Sequence, residues 1–99
     1  MCGIFGIVNH DSAAYITYLG LRRMQSRGQE SAGIVSAGQE LLGFREVGLV
    51  KDIITEKTIQ SLPGSMAIGH VRYSTSGESS VKEAQPFLVD TRHGQLAVC

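Results

Sequence analysis

The sequence has little of what would place it in a secreted, membrane-spanning or nucleic-acid-binding class. Its 99 residues contain two cysteines, Cys2 and Cys99, at opposite ends of the chain and without metal-ligand spacing. Neither a disulfide framework nor a zinc site is therefore expected. Nine basic residues face nine acidic ones, with no run of like charge. That balance removes the usual electrostatic reason to expect a nucleic acid or an anionic membrane as partner. No apolar run approaches the ~18 residues of a bilayer span, and the first residues lack a basic segment leading into an apolar stretch. No internal repeat or linker is visible. A reducing cytoplasm is the expected setting, one in which a free thiol persists, and a small uncharged or zwitterionic ligand suits the charge balance.

What is present reads as one small globular domain, 42% hydrophobic and 18% charged. A domain of about this size buries only somewhat more than ~60% of the surface its unfolded chain exposes, so its core is thin. The apolar, β-branched and aromatic run Gly3 to Val8 predicts a strand. The cluster Asn9-His10-Asp11-Ser12 predicts a turn, with Asp11 or Ser12 capping a helix from about Ser12 to Ser26. On that helix Ala14, Tyr18, Leu21 and Met24 share one face, and the Tyr15, Tyr18, Met24 stripe reads as core. Arg27-Gly28 closes the helix. Ser31 to Ala37 and Leu41 to Val47 predict a hairpin about Gly38-Gln39. Asp52 to Leu62 predicts a short helix capped by Asp52 and ended by Pro63-Gly64. Ser65 to Tyr73 is another strand, and it empties into the polar loop Ser74 to Ser80. Pro86 to Asp90 and Gln95 to Cys99 complete the strands. Strands in antiparallel-looking succession with two helices beside them indicate an α+β fold of layered sheets. The apolar run Gly94 to Cys99 stops without a turn or cap signal, so more chain is expected after it.

The position of Cys2 carries the chemistry. Removal of Met1 places a thiol and a free α-amine on one carbon. An α-amine titrates near ~7.7 to 8.0, close to physiological pH, and can serve as the base for its own nucleophile. On position alone, a small buried cysteine at the start of a strand remains open. Arg72 stands near the end of an apolar strand and is followed by Tyr73, Ser74, Thr75 and Ser76. A guanidinium fork holds a carboxylate with two parallel bonds, and hydroxyls and loop amides bond an amide or amine, so this segment can cup an amino acid. A structural salt bridge beside a solvated loop is the competing reading. Arg27-Gly28-Gln29-Glu30-Ser31 offers close backbone approach to a ligand, although a glycine at a helix end is also explained by capping. His10, His70 and His93 share no short ligand spacing and are set aside as bases or metal ligands.

Taken together, Cys2-Gly3-Ile4-Phe5-Gly6, the segment Leu21 to Ile34, Gly69-His70-Val71-Arg72-Tyr73-Ser74-Thr75-Ser76-Gly77 and Ala84-Gln85-Pro86-Phe87 resemble the glutaminase half of the amidophosphoribosyltransferases. These belong to the class II glutamine amidotransferases of the N-terminal nucleophile hydrolase fold. The related glucosamine-6-phosphate synthases are expected to show a tyrosine-aspartate pair where Gln29-Glu30 stand and a tryptophan at Tyr73. The resemblance implies an αββα layered sandwich, present over residues 1–99 as its amino-terminal portion. It implies removal of Met1, attack of the Cys2 thiolate on the side-chain amide of glutamine, and proton transfer by the Cys2 amine. It implies that Arg72 holds the substrate α-carboxylate, that Tyr73, Ser74 and Thr75 line the pocket, and that Arg27 and Gly28 lie beside the amine. The asparagine-glycine oxyanion pair and the aspartate that grips the substrate amine are expected after Cys99. Losing one oxyanion donor costs ~10²- to 10³-fold in turnover, so these residues alone are expected to be close to inert. Phosphoribosylpyrophosphate, its magnesium, and any iron-sulfur cluster or regulatory nucleotide are implied for a transferase domain outside these residues, with no cofactor in this segment. Homo-oligomerisation is implied for the full enzyme. A non-catalytic module of the same fold is the reading from another functional class.

Overall fold

In the computed structural model, which describes residues 1–74 and 80–99, the chain runs β1 (Gly3–Ile7), α1 (Ala13–Arg23), a 3₁₀ turn (Gln25–Arg27), β2 (Ser31–Ala37) and β3 (Leu41–Val47). It continues through α2 (Val50–Ile53), α3 (Glu56–Gln60), β4 (Met66–Arg72), a second 3₁₀ turn (Val81–Glu83), β5 (Phe87–Thr91) and β6 (Gly94–Val98). The first four strands form an antiparallel sheet in the order β1-β4-β2-β3, and β5 and β6 pair as a separate hairpin.

Period-two alternation sorts the sheet's residues between its faces. Gly3, Phe5, Ala67, Gly69, Val71, Ala32 and Ile34 fall on the face that α1 covers. There Thr17 and Leu21 lie against Gly69, and Phe5 lies under Gly20. Leu21, Ile34, Val50 and Val71 are fully buried in this core. The segment that leads into the hairpin covers part of the opposite face. The Gln85 carbonyl rests directly over Gly33, where any side chain would collide with it, and Leu88 reaches Gly43. β2 is therefore covered on both faces, which is why its sequence, Ser-Ala-Gly-Ile-Val-Ser-Ala, shows no polar alternation. Where the hairpin does not reach, the same face shows apolar side chains: Ile4 is 59% and Val8 68% exposed. An apolar cavity of about 430 Å³ lies between this face and β6, lined by Val8, Val35, Leu41, Ile68 and Leu96 among others. One helical layer and two sheet layers are thus present, in agreement with the expected layered α+β class.

Several local expectations are corrected. The first helix stops at Arg23 rather than Ser26, and residues 25–27 tighten into a 3₁₀ turn. The Gln25 side chain is drawn off to main-chain partners at Gly28 and Val50. Neither Asp11 nor Ser12 caps α1 with its side chain, and the turn before the helix is held by the Ser12 amide donating to His10 Nδ1 at 2.9 Å. Tyr15 is 46% exposed and stacks on Tyr18, so the tyrosine stripe edges the core rather than filling it. The single helix expected over Asp52 to Leu62 is two, broken where Ile54 and Thr55 are extended. The cap is Thr55, not Asp52. Its hydroxyl accepts the Thr58 amide at 3.2 Å, and the Thr58 hydroxyl accepts the Thr55 amide at 3.3 Å.

Leu21 is fully buried between α1 and β4 in a core with little redundancy. Leu21→Ala is expected to cost about 2–5 kcal/mol, read as a lower urea midpoint at constant m-value. A loss below about 1 kcal/mol would show that this helix–sheet contact is not a main source of stability.

Candidate active site

The register of β1 on β4 builds the site. Gly3 pairs with Val71 and Ile4 with His70, so one step outward the chain brings Cys2 beside Arg72 and Tyr73. The Cys2 Sγ accepts the Tyr73 amide N–H at 3.4 Å and lies 3.9 Å from the Tyr73 carbonyl oxygen. A main-chain donor aimed at sulfur suits a sulfur that carries negative charge. Cys2 is exposed, whereas burial pushes the Cys99 thiol above its ordinary value. Both thiols are free.

The turn after α1 closes the second side. Arg27 Nε donates to the Cys2 carbonyl at 3.1 Å, and its Nη2 lies 3.3 Å from Met1 Sδ. Arg27 therefore grips the main chain next to the nitrogen that Met1 removal would free. Gly28 follows in an extended conformation, φ −159°, which any residue adopts. Glycine is required there for space, not for a left-handed cap. A Cβ would sit 2.6 Å from the Arg72 carbonyl carbon and 2.8 Å from that of Val71, backbone that cannot yield. The next contacts continue the stitch: the Glu30 amide donates to the Arg72 carbonyl at 3.1 Å, and the Gly48 amide to the Glu30 carbonyl at 2.9 Å.

Arg72 is already engaged. Its Nη2 donates to Glu83 Oε2 at 2.8 Å, and Nη1 lies 3.9 Å from Glu30 Oε2. The Arg72 side chain is 16% exposed against 52% for Glu83, so the guanidinium is held in place while its carboxylate partner stands largely in solvent. An arriving carboxylate can take the place of Glu83. Beside it, Ser26, Gln29, Glu30, Tyr73 and Ser74 line an open cleft of about 430 Å³ whose surface is mixed polar and apolar. Of the residues expected from sequence, Cys2, Arg27, Gly28, Arg72, Tyr73 and Ser74 converge here. Thr75 lies outside the described residues. Glu30 and Glu83, which hold Arg72, carried no local sequence signal, since Glu30 lies 42 residues before Arg72 and Glu83 11 residues after it, across the polar loop.

His70 occupies the strand two residues before Arg72, on the same face. It is 5% exposed, and neither ring nitrogen has a hydrogen-bond partner among the described residues. Burial and the Arg72 charge both push its pKa below the ordinary 6.5. His10 serves the turn before α1 through its bond from the Ser12 amide, and His93 is exposed in the β5–β6 turn. Among the described residues no group of three or more His, Cys, Asp or Glu is placed to hold a metal ion. Among the described residues no helix is long and apolar enough to cross a membrane.

The arrangement joins an accessible thiol, a main-chain donor on its sulfur, an arginine on its carbonyl, and a second arginine able to exchange carboxylate partners. That set can bind an amino acid by its carboxylate and present a nucleophile to its side chain. The chain is similar along its length to known proteins. The chain is 51% identical over 98 residues to amidophosphoribosyltransferase 3, chloroplastic, of Arabidopsis thaliana, covering 98% of this chain and 18% of that protein. It is 48% identical to the amidophosphoribosyltransferase of Rhizobium etli, covering 98% and 20%. The solved glutamine phosphoribosylpyrophosphate amidotransferase from B. subtilis, complexed with ADP and GMP, superposes with a TM-score of 0.85 at 38% identity. The structure described as the allosteric regulatory enzyme of purine biosynthesis superposes with a TM-score of 0.89 at 39% identity. These two matches each cover 98% of this chain and 21% of the solved one. The chain thus spans about a fifth of the length of the relatives it matches. No protein-family model matches it.

Because folding lowers the His70 pKa, the folded state refuses a proton that the unfolded chain accepts below about 6.5. His70 therefore contributes stability that is fully present above that value and is lost as pH falls from it toward the depressed folded value. Urea midpoints measured from about pH 8 to pH 5 should decline, and His70→Gln should flatten the part of the decline near pH 6.5. Identical pH profiles in the two proteins would remove His70 as its cause.

Proposed function

We propose, from the premise that this chain is homologous over its whole length to the amino-terminal segment of amidophosphoribosyltransferases, that it supplies the glutamine-hydrolysing chemistry of such an enzyme. The observation that carries the reading is the convergence at one residue, Cys2, of three segments far apart in sequence. Cys2 Sγ sits on the Tyr73 amide, Arg27 holds the Cys2 carbonyl, and Arg72 adjoins them at the end of β4.

Once Met1 is removed, the free amine of Cys2 takes the thiol proton. The thiolate attacks the carboxamide carbon of glutamine, and a carbon–sulfur bond forms. The amine then passes its proton to the departing nitrogen, so ammonia leaves and a thioester remains. Water, deprotonated by the same amine, cleaves the thioester to glutamate and restores the thiol. In this reading Arg72 exchanges its exposed Glu83 partner for the substrate α-carboxylate. Tyr73 and Ser74 border the cleft that holds the rest of the amino acid, and Arg27 with Gly28 secures the chain beside the amine. The negative charge on the tetrahedral oxygen calls for donors from chain beyond Cys99, so residues 1–99 alone are expected to turn over glutamine at a small fraction of the full enzyme's rate. The ammonia would reach a phosphoribosyltransferase segment and displace pyrophosphate from phosphoribosylpyrophosphate. Magnesium belongs to that segment in this reading, and a cytoplasmic homo-oligomer is the proposed setting.

In the longer polypeptide, Cys2→Ala should abolish glutamine-dependent turnover and leave turnover with added ammonia. Intact mass should show loss of Met1 and a single adduct at Cys2 after treatment with a glutamine-like diazo-ketone. Retention of Met1 in the working protein, or persistence of glutamine turnover in the alanine variant, would refute the nucleophile. Separately, Arg72→Lys should raise the glutamine KM about 10- to 100-fold, the range set by losing a charge-assisted bond in a two-pronged grip. An unchanged KM would contradict that role.

A further inference from the structure

The half-buried side chain of Gln25 makes two short bonds, both to main chain and neither to a residue in the cleft. Its Nε2 donates to the Gly28 carbonyl at 2.7 Å, and its Oε1 accepts the amide N–H of Val50 at 2.7 Å. Val50 is fully buried and begins α2, while Gly28 is buried against the end of β4. One carboxamide thus ties the turn after α1 to a segment 25 residues away. The tie matters because of what that turn carries. Arg27 reaches from it to the Cys2 carbonyl at 3.1 Å, and Gly28 packs on the Arg72 backbone with no room to spare. The turn's own bonds, the Arg27 amide to the Met24 carbonyl at 2.9 Å and the Gly28 amide to the Gln25 carbonyl at 3.2 Å, set its curvature. They do not fix its height over the sheet.

We propose that Gln25 is a positioning residue for the candidate active site: its carboxamide holds the Arg27-Gly28 turn at the distance from which Arg27 secures Cys2. The functional importance of Cys2 rests on the reading in the preceding subsection, but the geometric link does not. No other side-chain type of this size does the same work. Glutamate keeps the acceptor for Val50 and turns an oxygen toward the Gly28 carbonyl, whereas methionine keeps the volume and loses both bonds.

The test is a double-mutant cycle in this chain, with Gln25→Met, Arg27→Met and the pair. The observable is the rate of Cys2 alkylation by iodoacetamide over a pH series, followed by mass, with Cys99 in the same molecule as reference. Arg27 holds the Cys2 main chain where the Tyr73 amide meets the sulfur, and loss of that main-chain donor on releasing Arg27 should slow Cys2. Each single variant is expected to slow Cys2 roughly three- to tenfold. The double variant should be no slower than the slower single one, and Cys99 should be unchanged. Gln25→Glu, which keeps the acceptor for the Val50 amide where methionine leaves both main-chain groups unpaired, should match Gln25→Met at Cys2. Additive effects in the pair, an unaltered Cys2 rate, or equal changes at Cys99 would overturn the proposal and leave Gln25 as a general structural link. Alkylation requires no glutamine hydrolysis. A Cys2→Ala protein that still consumed glutamine would therefore refute the proposed function without touching this result.

Discussion

Antiparallel pairing of β1 with β4 is the constraint on which the site depends. Pairing Gly3 with Val71 obliges the residues just outside the sheet, Cys2 on one strand and Arg72-Tyr73 on the other, to lie side by side. A slip of one residue would turn Phe5 and Val71 away from α1 and carry Cys2 away from the Tyr73 amide. The core therefore enforces the position of the sulfur. Fully buried Val71 and Leu21, with Phe5 tucked under Gly20, give the register its energetic cost of error.

The second constraint is closeness. Gly28 lets the turn after α1 rest on the carbonyl carbons of Val71 and Arg72, and the Glu30 amide then bonds the Arg72 carbonyl at 3.1 Å. Together with the Gln25 carboxamide, these contacts tie the turn beside Cys2 to main-chain partners. Main-chain positions shift little with side-chain rotation, and a nucleophile that must meet its substrate within a few tenths of an ångström gains from that rigidity. Arg72 shows the complementary property. Its shaft is enclosed while its partner Glu83 stays largely in solvent, so the charge is placed in advance and its partner remains exchangeable.

The strands were legible because their composition and period are unambiguous. Ser31 to Ala37 and Leu41 to Val47 match β2 and β3 at both ends, and the hairpin turn falls where Gly38-Gln39 stand. Helix ends were less so. Asp52 is a sound cap by residue type, yet Thr55 caps α3 because the chain is extended at Ile54 and Thr55, a choice made by burial of Val50 and Ile54 in the core. Gly28 shows the same limit. A glycine after a helix reads as a cap from sequence, while its observed φ of −159° assigns it to close packing.

By itself the sequence determined that a thiol stands next to the amino terminus, that an arginine precedes a cluster of hydroxyls, and that antiparallel strands with flanking helices carry them. Those are properties of residue order and local period. Only the tertiary structure decided that the sulfur rests on the Tyr73 amide, that Glu83 and Glu30 share Arg72, and that Gln25 braces the turn beside Cys2. Each of these joins groups whose separation along the chain leaves no periodic trace, and their meeting follows from strand register and the packing of one buried face.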